Sequence, residues 1–207
     1  MGYIVTFAQQ KGGAGKTTLL AHLAHSWANS KKSVAVFDLD PQSSLTSWAS
    51  RSDIPFELLE SKDYRAGRDL KEASDKYDYV LVDCPGSATS LLEAALRESD
   101  LVLVPCQLSA LDVWATGPLL NMAKSEKAPA RIVLNRVPPR GNFAAAQSAL
   151  DDLGEKVMKS RLGNRVAFMN GMATGTTALG LARNSVAIDE VTALRKETEK
   201  VLKSLAG

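Results

Sequence analysis

The apolar segment Ile4-Val5-Thr6-Phe7-Ala8 runs almost directly into Lys11-Gly12-Gly13-Ala14-Gly15-Lys16-Thr17-Thr18, and a helical pattern begins near Lys16. Three glycines within four positions let the backbone curl until its N–H groups converge on one anion. A strand, such a loop and a helix, in that order, are the parts of a phosphate-binding loop. In it Lys16 gives a point charge for terminal phosphates and the Thr17 hydroxyl can hold Mg²⁺. Two features depart from the general pattern G-x-x-x-x-G-K-[ST]: Gln10 stands where the first glycine is expected, and Lys11 is a cation the pattern does not require.

Downstream, apolar runs alternate with helical stretches. Strands are expected at 4–8, 33–37, 56–59, 79–82, 101–105, 131–134 and 165–168. Helices are expected near 16–29, 43–50, 67–75, 88–98, 111–125, 143–153 and 186–204. Several of the strand runs are continuous Val/Ile/Leu rather than alternating, as in strands buried on both faces. The expected fold is therefore α/β and doubly wound, a mainly parallel sheet with helices on both faces. With 207 residues and no long linker, a single domain over 1–207 is expected.

No apolar run approaches a membrane span and the first residues lack a signal-peptide pattern, which points to a cytoplasmic protein. Cys84 and Cys106 lack metal-ligand spacing and fit buried free thiols better than a metal cluster. Net charge is +2, but residues 127–183 carry nine Lys or Arg against three Asp or Glu. A basic third on a nearly neutral chain suits an anionic partner, and a solvated face with scattered lysines suits it equally well.

Ligands of such sheets sit at the carboxyl ends of strands, and the chemically suggestive residues fall there. Asp38-Leu39-Asp40-Pro41-Gln42 follows one strand and Asp83-Cys84-Pro85-Gly86 another. An acidic residue ending an apolar strand is costly unless it meets a cation. Asp83 suits Mg²⁺, with Thr17 on the other side, and Asp38 supports the metal shell. Asp40 is placed to position or activate a water, and Gly86 to let a loop approach the terminal phosphate. Asn135 and Arg136 end a further strand, where Asn135 can offer a donor and an acceptor to an adenine edge; a plain turn Asn is the alternative.

These segments, together with Val104-Pro105-Cys106-Gln107, Ser109, Asp112 and the weaker tail pattern Arg165-x-Ala167-Phe168, resemble the ParA/MinD group of deviant Walker ATPases. Within the group the chain is most similar to short ParA-type partition ATPases that lack an N-terminal DNA-binding domain. The likeness covers almost the whole chain, and Gln10 in place of Gly is common in the ParA branch. The resemblance implies ATP and Mg²⁺ as cofactors and a catalytic set of Lys11, Lys16 and Asp40. The nucleotide is held by Gly12, Gly13, Ala14, Gly15, Lys16, Thr17, Thr18, Asn135 and Arg136, and the metal by Thr17, Asp38 and Asp83. It gives Lys11 a task as well: reaching across a two-fold axis to phosphates bound by the other subunit of an ATP-sandwich homodimer.

The resemblance further implies slow hydrolysis stimulated by a ParB-like or other cargo-linked activator. It also implies non-specific DNA binding by the ATP dimer and nucleoid association. Lys156, Lys159, Arg161, Arg165, Lys196 and Lys200 are the candidate DNA contacts, with Arg183 and Lys203 nearby; Arg165 and Arg183 are equally readable as structural ion-pair residues. A membrane-cycling protein like MinD is the alternative. The tail Val201-Leu202-Lys203-Ser204-Leu205 has three large apolar residues and no aromatic, which favours a helix packed on the domain and makes a membrane partner unlikely.

Overall fold

A computed structural model of the chain describes residues 1–206 except Lys62, Ala88, Asn142 and Arg183, with only the backbone of Asp63 and Glu155. Arg183, named for the basic patch, thus lies outside the described residues. In chain order the elements are β1 (Tyr3–Phe7), α1 (Lys16–Asn29), β2 (Val34–Asp38), α2 (Ser44–Ala49), β3 (Glu57–Leu59), α3 (Ala66–Ser74), β4 (Tyr79–Asp83) and α4 (Ser90–Arg97). They continue with β5 (Leu101–Cys106), α5 (Ala110–Trp114), α6 (Gly117–Ser125), β6 (Ala130–Leu134), α7 (Ala144–Asp151), α8 (Val166–Ala173), α9 (Ala178–Leu181) and α10 (Val186–Ala206).

The six strands form one sheet in the order β3-β2-β4-β1-β5-β6, and every pairing is parallel. Side chains alternate across it. Val5, Phe7, Val36, Leu81 and Leu103 face one core with Leu20, Leu23 and Trp27 of α1 and Val191, Leu194 and Leu202 of α10. Ile4, Phe37, Val80, Val82 and Val104 face the other core with Leu70 of α3, Leu96 of α4 and Leu119 of α6. Burial on both faces explains the continuous apolar runs. The register pairs Asp38 with Asp83 and Phe7 with Asp83, which brings the ends of β1, β2 and β4 to one edge, where the glycine loop emerges.

Two expectations are corrected. Residues 165–168 form no strand: Arg165 is the N-cap of α8, and Phe168 is buried with its ring edge-on to His22 at 5.0 Å. A short apolar run does not by itself distinguish a buried strand from a turn of buried helix. The single helix expected at 111–125 is two, because Pro118 sits at the start of α6; its ring excludes the carbonyl four residues back and it has no N–H to donate. The C-terminal helix meets expectation. Its narrow apolar face is buried, and Trp27 Nε1 donates to Glu199 at 3.0 Å, binding α10 to α1. Among the described residues no helix is long and apolar enough to cross a membrane.

Candidate functional site

The glycine loop takes the shape its composition allows. Gly13 and Gly15 have φ of +74° and +93°, the left-handed region. Gly15 is doubly constrained: a Cβ there would lie 2.4 Å from Asn135 Nδ2. Lys16, Thr17 and Thr18 form the first turn of α1, which contains no acidic residue. Its free N–H groups and the positive end of the helix dipole are thus open to an anion. With Asp40, Pro41, Gly86 and Arg136 they line a cavity of about 560 Å³.

Asp83 ends β4 beside the first turn of α1. It is 2 % exposed, and Thr17 Oγ1 donates to its Oδ2 at 2.6 Å. Its other oxygen, Oδ1, is buried with no hydrogen-bond partner. Burial pushes the Asp83 pKa up to about 7; the charges of Asp38 and Asp40 add to this, and Thr17 and Lys16 oppose it. An orphaned buried carboxylate oxygen beside a threonine hydroxyl is the donor set a hard divalent cation takes when phosphates complete its shell.

The neighbouring carboxylates divide their work. Asp38 Oδ2 accepts from Thr46 N at 2.8 Å and from Thr46 Oγ1 at 3.0 Å, while Oδ1 accepts from Asp40 N at 3.2 Å. Asp38 therefore fixes the turn and the start of α2, and acts on Asp83 through its charge. Asp40 Oδ1 accepts from Gln42 N at 3.0 Å, and Asp40 lines the cavity. After Asp40, the N-cap of α2 is Ser43 at φ +50°, a left-handed residue that is not glycine.

Lys11 stands apart from this cavity. Its Nζ lies 2.5 Å from Asp112 Oδ1 on α5, and its side chain is 45 % exposed. Asp112 is held in turn by Ser109, whose Oγ donates to Oδ2 and accepts from the Asp112 amide. Leu111 and Trp114 flank Asp112 and are 71 % and 65 % exposed.

Residues 5–178 match the family model for the CobQ/CobB/MinD/ParA nucleotide binding domain. The chain belongs to this family. It is 30 % identical over 207 residues to "Maintenance of carboxysome distribution protein A" of Halothiobacillus neapolitanus, covering 94 % of this chain and 95 % of that one. Its fold is shared with a ParA family ATPase from Chlorobium tepidum (TM-score 0.80, 18 % identity, 95 % and 99 % covered). It is also shared with the septum site-determining protein MinD of Pyrococcus horikoshii, solved with Mg-ADP (TM-score 0.79, 18 % identity, 99 % of both chains).

In this member of the family a second cavity of about 370 Å³ adjoins the loop. It is lined by Thr18, His22, Arg136, residues 162–165, Phe168 and Met169. Asn135, a candidate for a base edge, donates from Nδ2 to Ala14 O at 2.9 Å and accepts at Oδ1 from Arg136 N at 2.9 Å. With both polar groups engaged and the residue 5 % exposed, Asn135 braces the phosphate loop. Arg136, left-handed at φ +53°, lines both cavities.

The pattern of strand ends did not reveal the α8–α9 wall or the histidine behind it. His22 Nε2 accepts from Ala178 N at 3.0 Å, so Nδ1 carries the proton and donates to Thr18 O at 2.7 Å. Burial lowers its pKa to about 4. The unfolded chain therefore takes up a proton near pH 6.5 that folded His22 refuses. Stability from this group is complete above that pH and is lost as pH falls toward 4, by about 3 kcal/mol in all. Urea unfolding of the unaltered chain and of His22→Gln between pH 7 and pH 5 is expected to show the steeper loss in the former; parallel losses would contradict it. Thr177, as the N-cap of a short helix, was the available sequence signal.

The basic residues expected on one patch meet different neighbours. Arg165 is ion-paired with Glu190 at 2.7 Å, the structural reading of the two weighed for it. Arg161 lines a small hollow that also contains Glu190. The backbone N–H of Lys159 donates to Glu197. Lys196 and Lys200 are exposed one turn apart on α10, and Lys156 stands in the 3₁₀ turn Gly154–Lys156.

Proposed function

We propose that the chain, acting as one unit over residues 1–207, is an ATP-hydrolysing partition or positioning protein. Mg-ATP drives sandwich dimerisation, the dimer binds DNA without sequence preference and associates with the nucleoid, and a cargo-linked activator stimulates hydrolysis and release. The observation that carries this reading is the separation of the two lysines. Lys16 lines the phosphate cavity, whereas Lys11 projects onto the surface and bonds Asp112. A cation beside a nucleotide loop but outside its cavity is placed to serve phosphates other than its own. The exposed apolar pair Leu111 and Trp114 adjoins it, and aromatic groups of this kind are enriched in interface cores.

Thr17 and Asp83 would hold the metal, which when bound neutralises phosphate charge and polarises the phosphorus–oxygen bonds. Lys16 and the loop amides hold the β- and γ-phosphates. Asp40 orients the attacking water and accepts its proton, in a reaction otherwise driven by position and electrostatics. A contact made only to γ-phosphate couples nucleotide state to dimerisation, because its strength differs between the two states. The relatives' names point to cargo such as a carboxysome, and a plasmid or a chromosome origin would serve the same cycle.

Lys11→Ala tests this. Nucleotide affinity of the monomer is expected to stay within about threefold, because the residue lies outside the cavity, while ATP-dependent dimerisation is lost; each 1.4 kcal/mol is tenfold in affinity. Nucleotide titration beside light scattering with ATP reads both. Equal loss of the two would place Lys11 in its own site and end the dimer reading. Flotation with liposomes in the presence of ATP tests the membrane alternative.

A further inference from the structure

We propose that a groove at the start of β6, remote from the nucleotide cavity, is the surface that takes the DNA backbone. The inference rests on the DNA reading above and names its site. The groove has a volume of about 470 Å³ and is walled by the end of α6, the turn after it, the first residues of β6 and the 3₁₀ turn Gly154–Lys156. Each part contributes one cation: Lys124, Lys127, Arg131 and Lys156. None of the four is in an ion pair among the described residues. No carboxylate lines the groove among those residues.

That convergence is unusual within this molecule. The large cleft at the amino ends of the strands also collects cations, Lys32, Lys76 and Arg195 among them, but Asp75, Asp78 and Glu199 line it too. One of the four groove cations is held in place. Arg131 is half-buried, with Nη1 donating to Ala130 O at 2.9 Å. Lys127 closes α6 at φ +60°, where glycine would avoid the strain. The chain keeps a lysine at that strained position.

The lining identifies the partner. No aromatic side chain lines the groove among the described residues, so bases have nothing to stack on and single strands are not favoured. The same lack of aromatic anchors argues against a lipid surface and against the apolar core of a protein partner. Spaced point charges with no base-reading side chain fit the regularly charged backbone of duplex DNA. The groove is at the amino end of β6, while Asn135, just past its carboxyl end, braces the phosphate loop. DNA can thus occupy the groove without blocking the nucleotide.

The test uses full-length chain with ATP and random-sequence duplex DNA across a salt series, with dimerisation followed on the same samples. Replacing Lys124, Lys127, Arg131 and Lys156 together by Ala is expected to weaken binding at least about tenfold near 0.1 M salt. It should also make the log–log salt slope shallower by about 4, and each single replacement by about 1. The single variants keep the test independent of any folding defect in the quadruple one. Lys196→Ala with Lys200→Ala is the competing surface. A slope lost there and retained in the groove variants overturns this inference and leaves DNA binding intact. No binding to DNA by the unaltered chain with ATP, or binding to phosphatidylglycerol vesicles instead, overturns both.

Discussion

Lys16→Ala is expected to remove nucleotide binding while the chain stays folded. Lys16 is at the first position of α1 and lines the cavity formed by the glycine loop. A charge-assisted bond to phosphate contributes about 1.5–3 kcal/mol each, and a lysine can donate more than one. Losing about 3 kcal/mol or more weakens affinity at least about a hundredfold. Helix propensity favours Ala over Lys by little, so α1 keeps its helical form. Titration with a fluorescent ATP analogue reads the effect, and circular dichroism checks the fold. Affinity within threefold of the unaltered chain would show that the loop amides alone hold the phosphates and that the cavity is assigned to the wrong ligand.

Asp40→Ala is expected to separate binding from chemistry. Among the described residues the Asp40 carboxylate accepts one hydrogen bond, from the amide of Gln42, and Asp38 holds the turn in place without it. Removing Asp40 therefore costs little structure. General-base groups contribute about 10²–10⁴ in rate, so hydrolysis should fall by that range while ATP-dependent dimers persist longer than in the unaltered chain. Phosphate release and light scattering on one preparation measure both. Undiminished hydrolysis would transfer the base to another group; a permanently monomeric variant would make Asp40 part of the dimer contact itself.

The parts of this molecule visible in its sequence are those governed by local rules. Strands buried on both faces announce themselves as continuous apolar runs, and all six observed strands were expected within about two residues. The strained glycines and the acids closing β2 and β4 follow from the same logic, since polar groups on buried strand ends need a reason to be there. What stayed hidden depends on tertiary direction. Lys11 and Asp112 are 101 residues apart, and nothing local tells the lysine which way to turn. Asn135 occupies the expected strand end, yet its amide points back to Ala14, a choice made by the loop it supports. Residues 165–168 carry the right residues for a strand, but they coil into α8 with Phe168 packed against His22.

The strand order has a consequence for how the chain is made. β1 is made before β2 to β6, yet its two neighbours are β4 and β5, ending at Asp83 and Cys106. At synthesis rates of about 5–20 residues per second, an apolar strand waits on the order of 5–20 seconds with both edges unpaired. The helix start that follows the phosphate loop lacks the Thr17 hydroxyl's partner until Asp83 arrives. β1 is thus secured only after three later strands have been made, and the nascent chain is exposed through that interval to pairing with strands not its own.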